Sequence, residues 1–168
     1  MDSLLRGNDT CRNRLQVTAN DTMSTIQIKI RTVGGGRVPE YQSTGSAGAD
    51  VFALLAEPLT IAPGAVALVP TGTFIELPEN YEAQIRPRSG LALKHGITLL
   101  NTPGTIDSDY RGEVKIIMAN FGKEPFTIES GMRIAQMVFA RVYRGEFAVT
   151  AELAETERNH GGFGHTGI

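Results

Sequence analysis

Glycine and proline interrupt this chain so often that a long helix has almost nowhere to form. Gly34-Gly35-Gly36, Pro58, Pro63-Gly64, Pro70, Pro78, Gly104, Gly122, Gly131 and Gly145 recur along it, and both residue types break regular structure. The runs between them read as strands. Residues 25–30, "TIQIKI", alternate apolar and polar side chains with the period of a half-buried strand. Further strand candidates are residues 65–69, 73–77, 81–86, 114–120 and 133–144. Many short strands punctuated in this way predict an all-β sandwich, jelly roll or barrel. One segment reads as helix: "SGLALK", Ser89 to Lys94, offers a serine cap ahead of three apolar residues, and Gly96 ends it.

With 168 residues the chain is one domain, large enough for a real core. Residues 1–24 are polar and without period, and read as a disordered extension, with Met23 an alternative start. The β domain is expected over residues 25–150. Residues 151–168 follow as a flexible arm, charged from Ala151 to Arg158 and then glycine-rich. The formal net charge of −2 argues against a nucleic-acid binder acting through bulk positive charge, so an anionic ligand must meet a local cluster. The single cysteine, Cys11, cannot form an internal disulfide, and a reducing, cytoplasmic setting fits it. No apolar run reaches the roughly 20 residues of a membrane span, and the N-terminus lacks the apolar stretch of a secretory signal.

Three clusters carry chemistry. "TIDSDYRGEV", Thr105 to Val114, sets two carboxylates one residue apart between apolar stretches, with Tyr110, Arg111 and Asn101 nearby. Asp107-Ser108-Asp109 suits a β-turn. It does not suit a calcium loop, because Arg111 stands at the fifth position and Met118 at the twelfth. A carboxylate held on a rigid hairpin can orient and deprotonate a water. "RPRSG", Arg86 to Gly90, sets two arginines beside the start of the helix. That arrangement suits a phosphate, and equally a solvated arginine pair beside a capping serine. The tail, Arg158 to Gly167, matches G-x-G-x-x-G, but no strand precedes it, so the dinucleotide fingerprint does not apply. Such a terminus is a floppy tail or a lid in which Arg158, Phe163 and Thr166 close over a base and its phosphates. The three histidines lack partners at zinc spacing, the deaminase H-x-E with P-C-x-x-C is absent, and no G-x-S-x-G surrounds Ser89. His95 reads as a helix-end residue.

Taken together, the clusters resemble the trimeric dUTP diphosphatases (dUTPases) from about Ile26 to the C-terminus. Five motifs stand in that family's order: "AGADVFA" at 47–53, "RPRSGLA" at 86–92, "NTPGTIDSDYRGEV" at 101–114, "RIAQMVF" at 133–139, and the glycine-rich tail. The resemblance implies a jelly roll (the dUTPase-like β-clip) with one short helix and flexible arms. It also implies a homotrimer with active sites shared between subunits, and Mg²⁺-assisted hydrolysis of dUTP to dUMP and pyrophosphate, with no nucleic acid and no membrane as partner. Carried over by position, Asp107 would activate the attacking water and Tyr110 would pack beneath the deoxyribose. Asn101, with main chain of the hairpin and Thr105, would read the uracil end of the substrate. Arg88, Ser89, Gly90 and Gln136 would bind the phosphates, and Asp50 would support the metal through water. From the tail, Arg158 and Thr166 would reach the terminal phosphate and Phe163 would cover the uracil, with Gly164 and His165 beside it. Asn159-His160 departs from the family's usual glycine and variable residue, and His165 stands at a position that is often serine.

A triphosphate carries about four negative charges, so arginines and Mg²⁺ must neutralise it before a nucleophile can approach. A carboxylate is a weak base, and orienting the water would supply most of its effect. Two rival readings remain at this level. A dCTP deaminase-like enzyme would need a catalytic glutamate at the base pocket, and a non-catalytic nucleotide-binding module would have no use for Asp107.

Overall fold

The computed structural model describes residues 25–162. The expected N-terminal extension and Phe163, Gly164, His165 and Thr166 lie outside the described residues. Eleven strands and one helix follow in order: β1 (Lys29–Thr32), β2 (Ala49–Phe52), β3 (Leu59–Ile61), β4 (Val66–Val69), β5 (Thr73–Glu76), β6 (Tyr81–Arg86), α1 (Ser89–His95), β7 (Ile97–Leu99), β8 (Gly104–Ile106), β9 (Ile116–Asn120), β10 (Phe126–Ile128) and β11 (Arg133–Arg141). All strand pairs are antiparallel. The larger sheet runs β2-β11-β6-β8 and the next β4-β9-β7, with two-stranded pairs β1-β5 and β10-β3. This is the all-β jelly-roll class that the punctuation and the motifs predict.

Alternation explains which side chains enter the core. In β9, Ile116, Met118 and Asn120 point inward. They meet Val69 and Ala67 of β4 and Leu99 and Ile97 of β7 across the sheet. From the other sheet Val51, Ala83, Ile85, Ala135 and Met137 join the same buried cluster. Each fully buried Val, Leu, Ile or Met among them contributes about 1.5–3 kcal/mol. Asn120 is the polar member, 1% exposed. Its Nδ2 donates to Ile61 O and Glu124 O, both at 2.9 Å, and its Oδ1 accepts from Gly122 N at 2.8 Å. That satisfies the amide, so its burial carries no unpaired group.

The elements sit close to expectation, with informative differences. β6 occupies residues 81–86 as read. The β1 strand begins at Lys29, so most of "TIQIKI" lies ahead of it, because the partner β5 ends at Glu76, opposite Lys29. Across that pair the hydrogen bond from Lys29, at 2.8 Å, and then its charge hold the Glu76 carboxyl below its ordinary value. β11 ends at Arg141, short of the expected Arg144, and no strand follows among the described residues. Helix α1 does end at Gly96, which adopts φ 66°, and His95 is its last residue, with its ring 5.1 Å from Phe126. The serine cap is corrected: Arg88 occupies the N-cap and makes no side-chain cap bond, while Ser89 is already helical. The cap carbonyl, Arg88 O, accepts from both Leu91 N and Ala92 N. Among the described residues no helix is long and apolar enough to cross a membrane.

Candidate functional site

Strand register in the larger sheet assembles the first half of the site. Gln136 on β11 pairs with Asp50 of β2 on one side and Arg86 of β6 on the other. Gly48 gives Gln136 its place, since a Cβ there would stand 3.2 Å from Gln136 Cβ. Asp50 is 1% exposed and sits between two guanidinium groups. Arg133 Nη1 donates to Asp50 Oδ2 at 3.1 Å, and Arg88 Nε lies 3.1 Å from Asp50 Oδ1. Arg88 Nη1 also donates to Arg133 O at 3.0 Å. A buried charge must be paired, and here one carboxylate fixes the direction of two arginines. Beside them opens a cleft of about 520 Å³ lined by Arg37, Gln42, Phe52, Arg88, Met132 and Arg133, among others. Arg37 stacks on Phe52 at 3.8 Å and pairs with Glu40 at 2.7 Å.

Arg88 leads directly into α1, whose Ser89 and Gly90 are exposed. A Cβ at Gly90 would meet nothing within 4 Å, and its φ is not positive. The fold therefore does not require glycine there, whereas close approach of a ligand to the backbone would. The arrangement is a concave, arginine-rich surface beside exposed helix N–H groups, able to neutralise and orient a polyanion.

The second half is the loop after β8. Tyr110 N donates to Asp107 O at 3.1 Å, closing a four-residue turn, and Arg111 Nη1 donates to Ser108 O at 2.7 Å and Tyr110 O at 2.9 Å. Asp107 is exposed at its start. The expected hairpin is corrected to a loop bridging two sheets. Its first leg, β8, pairs with β6, and its second leg pairs through Glu113 with Phe74 of β5. The legs do not pair with each other, yet each is anchored, so the carboxylate is still held on a firm support. Asn101 stands at the loop's base, its Nδ2 3.1 Å from the place of a Cβ on Gly104, and Thr105 pairs with Gln84.

Strand register sets the two halves apart within one chain. Asp107 follows the Ile106–Ala83 pair, whereas the phosphate-type cluster begins at the Arg86–Gln136 pair. The separation is about four residues along β6, or ~13 Å at the usual rise per strand residue. The arm is also apart. Arg158 is exposed, and among the described residues its Nε donates locally, to Gly161 O at 2.7 Å.

Comparison with known proteins decides the family. The dUTPase family matches residues 35–167. The chain belongs to the dUTPase family. It is 62% identical over 147 residues to a deoxyuridine 5'-triphosphate nucleotidohydrolase of Caldanaerobacter subterraneus subsp. tengcongensis, covering 86% of this chain and 99% of that protein. The corresponding protein of Chlamydia pneumoniae is 60% identical, with 79% and 92% covered. Among solved structures, a dUTPase of Staphylococcus bacteriophage 80alpha with dUPNHPP aligns with TM-score 0.77 at 25% identity, over 86% of this chain and 100% of that one. A phage phi11 dUTPase variant with a structural Mg(II) ion aligns with TM-score 0.69 at 22% identity, covering 77% and 100%, a likeness of fold.

The departure at Asn159 acquires a geometric explanation. Asn159 adopts φ 40°, in the left-handed region that favours glycine and that asparagine tolerates better than most residues. Its Oδ1 accepts from Thr156 N at 2.9 Å and its N–H donates to Thr156 Oγ1 at 3.0 Å, so the side chain closes the turn. Sequence reading missed Arg133 as the second arginine on Asp50, and Glu113 as the anchor of the loop. Both stand inside quoted motifs. Nothing local marks their partners, which lie 83 and about 40 residues away.

Proposed function

We propose that this chain hydrolyses dUTP to dUMP and pyrophosphate by in-line attack of water on the α-phosphorus, in sites completed by neighbouring copies of itself. The observation that carries this reading is the strand register that sets an arginine-rich half and an aspartate-bearing half apart along β6. Each half holds the family's motif residues on a firm support. A site is whole only when the loop of one copy reaches the arginine cluster of another.

Arg88, the backbone of Ser89 and Gly90, and Gln136 hold and orient the phosphates. Asp107 accepts a hydrogen bond from the attacking water and takes its proton, and its anchored loop supplies the alignment. Tyr110 lies beneath the deoxyribose and leaves no room for a ribose 2′-hydroxyl. Asn101 and the neighbouring main chain at Thr105 read uracil. Residues 151–168 act as the closing arm, in which Arg158 and Thr166 reach the terminal phosphate and Phe163 covers the base, beside Gly164 and His165.

Asp50 bears on the metal. Its Oδ1 is the buried side-chain oxygen without a hydrogen bond among the described residues, despite its nearness to Arg88. Among those residues no group of three or more His, Cys, Asp or Glu could hold a metal. This fits Mg²⁺ carried mainly by substrate phosphates and touched by Asp50 through water, since Mg²⁺ keeps several of its waters. Bound there, it would neutralise charge on the phosphates.

Self-association has further support. The outer face of the β4-β9-β7 sheet presents Val66, Leu68 and Leu100, each at least half exposed, where a water-facing antiparallel sheet is ordinarily polar. Beyond β11, Phe147, Val149 and Leu153 are also exposed. A groove of about 650 Å³ lined by Ile26, Ile28, Val38, Tyr41, Tyr81 and Phe139, among others, is equally apolar. A homotrimer covers such surfaces with copies of the same chain. A cytoplasmic setting accords with the single cysteine.

The test is pyrophosphate release from dUTP, dCTP, dTTP and UTP in the presence of Mg²⁺. Release from dUTP far above the others supports the reading. Ammonia from dCTP without pyrophosphate, or binding without turnover, refutes it.

A further inference from the structure

Gly112 has no conformational reason to be glycine, because its φ is not positive. It has a steric one. A Cβ at this position would stand 2.5 Å from Tyr110 Cζ and 3.0 Å from Tyr110 Cε2, and the nearest atoms it would meet all belong to that one side chain. The phenol ring therefore lies back over its own loop, on the space a side chain at 112 would fill. Its hydroxyl donates to Glu113 O at 3.0 Å.

Glu113 is itself clamped. Its Oε1 accepts from Thr71 N at 3.1 Å and Gly72 N at 2.8 Å, and its Oε2 lies 3.5 Å from Lys115 Nζ. Thr71 is 1% exposed, so its N–H needs this acceptor. Next to the clamp, Val114 N donates to Thr73 O at 2.8 Å, and Thr71 Oγ1 donates to Val114 O at 2.6 Å. The carbonyl that holds the tyrosine is thus fixed to the start of β5, on a different sheet from the β8 leg that carries Asp107.

We propose that Gly112 and Glu113 are positioning residues that seat the Tyr110 ring and thereby set discrimination between deoxyribose and ribose. The inference rests on the assignment of Tyr110 beneath the sugar. Exclusion by bulk is only as strict as the wall is stiff. An apolar surface rejects an added hydroxyl by only ~100-fold, and a ring free to tilt loses much of that. Gly112 lets the ring lie down, the hydroxyl bond stops it rotating away, and the Glu113 clamp fixes the acceptor of that bond.

The experiment compares kcat/KM for dUTP and UTP in the full-length protein. Gly112→Ala displaces the ring and is expected to narrow the dUTP/UTP ratio by about tenfold. Tyr110→Ala narrows it at least as far, and Gly112→Ala then has no further effect in the Tyr110→Ala background, because both act through one ring. Glu113→Ala removes the acceptor of both N–H groups and is expected to narrow the ratio by about threefold, whereas Glu113→Gln keeps an oxygen for both and restores it; a wild-type ratio in Glu113→Ala overturns the role of Glu113. Tyr110→Phe removes only the hydroxyl bond and narrows the ratio by about threefold. An unchanged ratio in Gly112→Ala, with Tyr110→Ala narrowed, overturns the inference. So does an effect of Gly112→Ala that persists without the tyrosine. A ratio unchanged even in Tyr110→Ala overturns the sugar assignment instead. If Gly112→Ala does not fold, Tyr110→Phe decides alone, and a wild-type ratio there overturns the inference.

Discussion

Asn120→Asp tests how the core carries a polar group beside the supports of the site. The change preserves shape, and the retained oxygen still accepts from Gly122 N. The amide nitrogen, however, donates to Ile61 O and Glu124 O, both at 2.9 Å. A protonated carboxyl there supplies one of those two bonds, and a carboxylate supplies neither. Loss of one bond costs about 1 kcal/mol. Burial at 1% exposure, against two carbonyl oxygens, should raise the folded-state pKa of the new group by roughly two to three units above the unfolded ~3.9. At 1.36 kcal/mol per unit that adds about 3–4 kcal/mol at high pH. A raised folded pKa means that the contribution is fully present below the unfolded pKa and is lost as pH rises through the folded one. The deficit relative to wild type should therefore grow from about 1 kcal/mol at pH 4 to about 4–5 kcal/mol at pH 8, a large share of a fold's ~5–15 kcal/mol. Urea unfolding of mutant and wild type at both pH values measures it, at one protein concentration because association shifts the midpoint. An equal deficit at the two pH values would refute the reasoning. It would mean that water or backbone movement satisfies the carboxylate.

Three further outcomes concern the site. Asp107→Asn should leave binding of a non-hydrolysable dUTP analogue within about twofold while lowering kcat by at least ~100-fold; calorimetry and pyrophosphate release measure the two, and a wild-type kcat would remove Asp107 from its role. Deletion of residues 158–168 should leave the unfolding transition nearly unchanged while impairing turnover, because the described part of that segment is largely exposed and the Arg158 side chain donates locally, to Gly161 O; loss of folding would show the arm to be structural. Co-expressing an Asp107→Ala chain with the truncated chain, each inactive alone, should restore about a quarter of full activity across the randomly mixed population of trimers. Activity near zero in correctly formed mixed trimers would mean that each site is built within one chain.

The sequence by itself determined the class of fold and the chemical inventory. Strand alternation and Gly/Pro punctuation are local signals, so β6 and the glycine end of α1 are legible within a few residues. The five motifs name the residues that bear charge, because chemical type is visible without coordinates. What only the tertiary structure decided is who faces whom. Asp50 pairs with arginines distant in sequence on β11 and at the helix start, and Glu113 reaches back to Thr71 and Gly72. The supposed hairpin is a bridge because its legs found partners in different sheets. Even the serine cap yielded, since the backbone turned one residue earlier, at Arg88. Register does the most for function. It sets Asp107 about four residues along β6 from the Gln136 row. That spacing arises from the closure of the whole sheet, which no short window of sequence encodes.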